Sequence, residues 1–187
     1  VVVFCVTYFI YIYPIEILNE LLFNEQANRR SSFYFTIIIS ILIIFYFRSY
    51  TSLKPLKIFI YEGMGIGFIS FWVVTAAILI KGIFNFNSYY LGLLSLLFIL
   101  ILSLISFYFG SKIYIKNINI KSNKIKSDVS FIFLSDVHMG SNNIKHLNKI
   151  ILLLKNKSYD FLLIGGDLID SSSFDLSSLK IIKENIS

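Results

Sequence analysis

Residues 129–170 read VSFIFLSDVHMGSNNIKHLNKIILLLKNKSYDFLLIGGDLID, and the order of apolar and polar letters there decides the fold of the C-terminal part of the chain. The run 129–134 is apolar and of strand length, and it stops abruptly in the polar loop 135–141. Asn142 or Asn143 then offers a helix cap, and Ile144, Leu147, Ile150, Ile151 and Leu154 recur at the three-to-four spacing of one helical face. A turn at 156–159 leads into a second apolar strand, 160–164, which ends in Gly165-Gly166-Asp167-Leu168-Ile169-Asp170. Strand, helix and strand at these lengths form a βαβ unit, which implies parallel strands and a right-handed crossover.

Both strands finish in acid-bearing loops at their C-terminal ends, the edge where open α/β sheets build their sites. Neighbouring parallel strands bring Asp136, His138 and Asp167 together. Carboxylate oxygens and an imidazole nitrogen suit a hard-to-borderline divalent ion such as Mn, Fe or Zn. Asp136 and His138 stand two apart on what reads as an extended segment, so both side chains point the same way and can grip one ion. Asp167 can offer one oxygen to each of two ions, and the glycines before it let backbone approach closely. Taken singly, D-x-H and G-D-x-x-D are ordinary turn chemistry. Their order around a βαβ unit is the informative feature.

The words FLSDVHMGS and DFLLIGGDLID, set in that order, resemble the calcineurin-like metallophosphoesterase family over roughly residues 121–170. Several apolar helices followed by a basic link and this domain look like the membrane-anchored branch of the family. The resemblance implies a four-layer α/β/β/α sandwich, of which 112–187 would be the opening βαβ part. It also implies two divalent metal ions, with Asp136 and His138 ligating the first and Asp167 bridging both. Gly166 and Asp170 would support the loop. The implied activity is hydrolysis of phosphoesters by in-line attack of water, and the membrane branch suggests a lipid or headgroup phosphoester. The family pattern continues with G-N-H-[D/E] and G-H-x-H segments, and residues 171–187 contain neither. They read as a polar loop and the start of a helix (Leu176, Leu179, Ile182). The expectation is therefore an incomplete domain with a partial metal site and no catalytic residue of its own. His146, on the polar side of the helix, reads as solvated.

Upstream, Ile113-Tyr114-Ile115 and Ile118-Asn119-Ile120 alternate with polar residues, the period of a strand. Before them, residues 1–111 form a region with a different solvent. It carries six of the 17 Lys and Arg and four of the 11 acids, although it is well over half the chain. The runs 31–47, 63–80 and 89–109 are long and apolar enough to span a bilayer, at roughly 17–25 residues each. The run 1–23 qualifies only by including Pro14, Glu16 and Glu20. Three or four transmembrane helices are thus expected, with Glu62 at a helix end. Gly63, Gly65 and Gly67 read as small residues for close helix packing. Lys and Arg crowd the 48–62 loop and the link after 110, so the C-terminal part should be cytoplasmic and the protein a multi-pass membrane protein.

Composition agrees with this reading. The chain is 56% hydrophobic and 15% charged, far from the usual soluble balance of about 45–50% and 25%. The net charge of +6 lies at the ends of apolar runs and just after the last one, which points to headgroups and not to nucleic acid. Cys5 is the only cysteine, which excludes a disulfide framework. The competing class is a non-enzymatic membrane protein, a scaffold or transporter subunit, with a degenerate cytoplasmic tail.

Overall fold

The computed structural model describes residues 1–49, 53–125, 127–138 and 144–169, without the side chains of Lys54 and Ile144. The chain divides into two units, Val1–Gly110 and Ser111–Ser187.

The first unit is helical: α1 (Val2–Thr7), a π-helical turn (Tyr8–Ile12), α2 (Tyr13–Phe23), α3 (Arg29–Arg48), α4 (Lys54–Phe84) and α5 (Ser88–Gly110). The turns from α2 to α3 and from α4 to α5 are built on asparagine. Asn24 and Asn85 close α2 and α4 with left-handed backbone, at φ 56° and 53°, a conformation Asn adopts more readily than most residues. The Asn28 side chain accepts hydrogen bonds from the Arg30 and Ser31 amides, and Asn87 accepts from those of Tyr89 and Tyr90, so each satisfies two orphan donors of the next helix.

Among the described residues, four helical segments are long and apolar enough to cross a membrane: Val2–Phe23, Arg29–Arg48, Pro55–Phe84 and Ser88–Gly110. The first run therefore continues through Pro14. Glu16, one of the two charges that made it doubtful, accepts hydrogen bonds from Tyr8 Oη at 2.8 Å and from Ser32 Oγ of α3. One expectation fails here. Glu62 lies inside α4 and not at its end, because the helix starts at Lys54 with Pro55 in its first turn. A helix of 31 residues is about 46 Å long, well beyond a hydrocarbon core of about 30 Å. Charges near its ends need not enter the apolar layer.

The packing of this unit is inverted relative to a protein folded in water. Large apolar residues such as Trp72, Leu79, Leu100 and Leu104 are exposed, whereas Thr7, Thr36, Ser40, Ser70, Ser95 and Ser103 are buried. Thr7, Thr36, Ser70 and Ser95 each return a hydroxyl hydrogen bond of 2.7–2.8 Å to the carbonyl four residues earlier, so these four line the contacts with their hydroxyls satisfied, whereas the Ser40 and Ser103 hydroxyls are buried without a partner among the described residues. The tightest contact is between the π turn and α4. Pro14 has no amide to give the Ile10 carbonyl, and that carbonyl lies against Gly67, where a Cβ would overlap it. One turn back, a Cβ on Gly63 would sit 2.9 Å from the Tyr11 ring, and Tyr11 Oη donates to the Ile60 carbonyl at 2.8 Å. Gly65 faces open space. The close-packing expectation thus holds for Gly63 and Gly67, four apart on one helical face.

In the second unit β1 (Phe131–Leu134) pairs in parallel with β2 (Phe161–Ile164), in the register Phe131↔Phe161 to Leu134↔Ile164, and α6 (Ile144–Lys155) connects them. The helix spends Leu147, Ile150, Ile151 and Leu154 on a small core with Val137, against which Ile132, Leu134 and Leu162 pack. The other sheet face, with Phe131, Phe133, Phe161 and Leu163, is exposed. Residues 113–120 are not a strand. Alternation makes one side of a segment apolar, but a strand also needs a hydrogen-bonded neighbour, and the described residues supply none to this segment. Ile113 alone of its isoleucines packs on the α6 core. The proposed caps Asn142 and Asn143 lie outside the described residues.

Candidate metal centre

Two loops leave the same edge of the parallel pair, and the hydrogen-bond ladder follows them outward. The Gly165 amide donates to the Leu134 carbonyl at 2.8 Å, and the His138 amide donates to the Asp167 carbonyl at 2.8 Å. The second bond joins the loops directly, between the backbones of two candidate ligands. At the opposite end of the strands, Asp160 donates its amide to the Ser130 carbonyl and accepts the Ser130 amide on Oδ2, both at 2.8 Å. This clamp fixes which residues lie opposite one another, and therefore which loop positions meet at the far edge.

Asp136, His138 and Asp167 each present a ligand atom, and these atoms all lie within 4.8 Å of one another. Bonds of about 2.0–2.2 Å to oxygen and nitrogen place ligand atoms roughly 3–4 Å apart around one ion. The cluster is thus close to coordinating geometry, and its two carboxylates and one imidazole match a divalent cation in both charge and softness. Asp136 and Asp167 are exposed and His138 is half-buried. His146, half-buried on α6, is outside the cluster. Asp170 lies outside the described residues, as do Leu176, Leu179 and Ile182.

The convergence is achieved differently from the extended segment that the sequence suggests. Asp136, His138 and Asp167 have φ of 57°, 50° and 45°, all left-handed. Such backbone is uncommon for residues other than Gly, and costs of order 1 kcal/mol or more at each position. It turns the chain back on itself, where an extended loop would carry His138 away from the sheet. Gly166, at φ 121°, occupies backbone that a Cβ would strain. Gly165 is needed for space, since a Cβ there would overlap the Phe133 ring.

Two residues that sequence reasoning passed over hold this arrangement. Val137, between the two ligands of the first loop, is 1% exposed and belongs to the α6 core. Leu168, directly after Asp167, packs on the same core. Each loop is thus pegged by an apolar side chain beside its ligands. The polar–apolar–polar reading Asp136-Val137-His138 was the available signal for the first peg. Nothing local marks Asp160 as a clamp, because its partner is thirty residues away.

Comparison with known proteins bears on this segment. Residues 129–187 match the family model described as calcineurin-like phosphoesterase. An uncharacterised metallophosphoesterase of Campylobacter jejuni is 32% identical over 65 residues, covering 34% of this chain and 17% of that protein. The match thus spans about a sixth of the relative's length. No solved structure matches.

Proposed function

We propose that this chain, whose residues 129–187 match the calcineurin-like phosphoesterase family, serves as a membrane-anchored part of a metal-dependent phosphoester hydrolase. The observation that carries the reading is the meeting of Asp136, His138 and Asp167 ligand atoms within 4.8 Å at the C-terminal edge of two parallel strands. A divalent metal bound there would supply Lewis acidity toward a phosphoryl group and toward water. Asp136 and His138 hold the site from one loop, and Asp167 holds it from the other with a second oxygen still available. The His138–Asp167 backbone bond keeps the two loops from separating. These three donors would serve one ion, and a second ion would need donors beyond them. Four apolar helical segments support residence in the membrane, and the lysines after Gly110 support a cytoplasmic C-terminal unit. A lipid or headgroup phosphoester is the substrate class that suits an anchored site.

The test is Mn titration of the detergent-solubilised chain, followed by Mn-dependent hydrolysis of a generic phosphodiester by the longest natural form that carries it. Asp136→Asn and Asp167→Asn should each abolish both metal binding and hydrolysis. Wild-type behaviour in either variant would remove the ligand assignment. The second reading, a membrane protein with a non-catalytic tail, is favoured by the exposure of Asp136 and Asp167. It predicts no metal-dependent rise in melting temperature at all.

A further inference from the structure

The C-terminal unit contains a groove of about 450 Å³, lined on one side by Lys112, Ile113 and Tyr114 and on the other by Lys149, Leu152 and Leu153. None of the candidate metal ligands lines it. Helix α6 already satisfies the core with Leu147, Ile150, Ile151 and Leu154, yet Leu152 stands 64% exposed on it and Tyr114 is 69% exposed opposite. Among the described residues, folding of this unit gives no reason for an exposed leucine in a turn that also carries an exposed Lys149. The residues lining the groove include two lysines, Lys112 and Lys149, and no aspartate or glutamate. Its occupant should therefore be both anionic and apolar.

The chain also limits where the groove can lie. Lys112 follows Gly110, the last residue of α5, by two positions, a reach of at most about 7 Å. The polar layer on each side of a bilayer core is roughly 5–8 Å thick. If α5 spans the membrane, Lys112 enters the headgroup region by connectivity alone.

We propose that this groove binds an anionic phospholipid, with the headgroup phosphate between Lys112 and Lys149 and the acyl-glycerol part over Ile113, Leu152 and Leu153. Juxtamembrane lysines attract anionic lipid in just this way, and apolar walls distinguish a lipid from a free anion. The proposal rests on the membrane residence proposed above, and the two are measured separately.

The experiment uses the full chain in a neutral detergent with a chelator present, so that the aspartate–histidine cluster holds no metal and no phosphate through one. Short-chain phosphatidylglycerol, short-chain phosphatidylcholine and inorganic phosphate are titrated separately, with bound lipid read by native mass spectrometry and stability by melting. Phosphatidylglycerol should bind at least tenfold more tightly than phosphatidylcholine. The double variant Lys112→Gln/Lys149→Gln should lose about ten- to thirty-fold of that affinity. Lys112→Arg/Lys149→Arg should keep most of it, and Lys155→Gln/Lys157→Gln, off the groove, should keep it all. Equal binding of the two lipids overturns the proposal, and so does binding of inorganic phosphate as tight as that of phosphatidylglycerol. Equal losses in the groove and off-groove variants overturn it too, by reducing the effect to diffuse charge. Should Lys112→Gln/Lys149→Gln fail to fold, the wild-type lipid preference and the arginine variant still decide. Resistance of the chain to alkaline extraction from its native membrane reports on membrane residence alone.

Discussion

Val137 offers the sharpest test of how the candidate metal site is held together. Truncation to alanine removes two methyl groups from a side chain that is 1% exposed, at about 0.8 kcal/mol each in transfer free energy. The space left beside Leu147, Ile150 and Ile151 adds a cavity term, giving about 2 kcal/mol in all. Most of that loss should fall on the loop itself, because Asp136 and His138 on either side are held in left-handed backbone that the peg helps to maintain. The population of ligand-competent loop would then fall, and the apparent metal affinity falls with it in proportion. Two kcal/mol corresponds to a weakening of at most about thirty-fold, reached where the metal-free loop is mostly in its other states. Isothermal titration of the detergent-solubilised chain with Mn measures this directly, and circular dichroism at the same temperature confirms that the helices persist. Ile120→Ala, at a site 76% exposed, is the control and should leave the affinity unchanged. If Val137→Ala binds Mn as tightly as the wild type while Asp136→Asn does not bind it, the peg has no part in positioning the ligands and the reasoning is wrong.

Other outcomes follow from the contacts. Asp160→Ala removes an exposed hydrogen bond to the Ser130 amide and should cost about 0.5–1.5 kcal/mol. Its signature would be faster hydrogen exchange at the Gly165 and His138 amides, with Asp160→Asn near neutral because it keeps an acceptor oxygen. Equal exchange in Asp160→Ala and wild type would show that the register is set elsewhere. In the helical unit, Gly67→Leu should separate the π turn from α4 and lower the melting temperature by several degrees, whereas Gly65→Leu, facing open space, should leave it within about a degree. Similar effects at the two positions would contradict the close approach at Gly67.

The sequence made some of these features readable and hid others, for physical reasons. The long helices were plain because uncharged apolar runs leave few alternatives. The ends of α4 were not plain. A charge such as Glu62 looks like a terminus when hydropathy is the only guide, and helical hydrogen bonding takes no account of it. The π turn at Tyr8–Ile12 was equally invisible, since a chain that bonds five residues back carries the same letters as one that bonds four. In the C-terminal unit the β1–α6–β2 order and the meeting of Asp136, His138 and Asp167 could be read from periodicity and strand ends. The left-handed backbone that brings them together could not, because it depends on Val137 and Leu168 finding a core built mainly from residues of α6. The segment 113–120 shows the converse. Its period was correct for a strand, but a strand is a property of two segments and only one was at hand.

The left-handed backbone at Asp136, His138 and Asp167 also governs how this site can be altered. At such positions the side chain and the backbone are selected together: asparagine tolerates the geometry nearly as well as aspartate, alanine less well, and valine or isoleucine hardly at all. An alanine scan would therefore report two losses at once, a missing donor atom and a loop free to uncoil. Asparagine separates them, keeping the turn while removing the charge. The same constraint narrows the routes by which the site can drift. A ligand lost to asparagine, or in the loops to glycine, leaves a folded loop that a single later change can restore, whereas a β-branched replacement removes the ligand and the turn together.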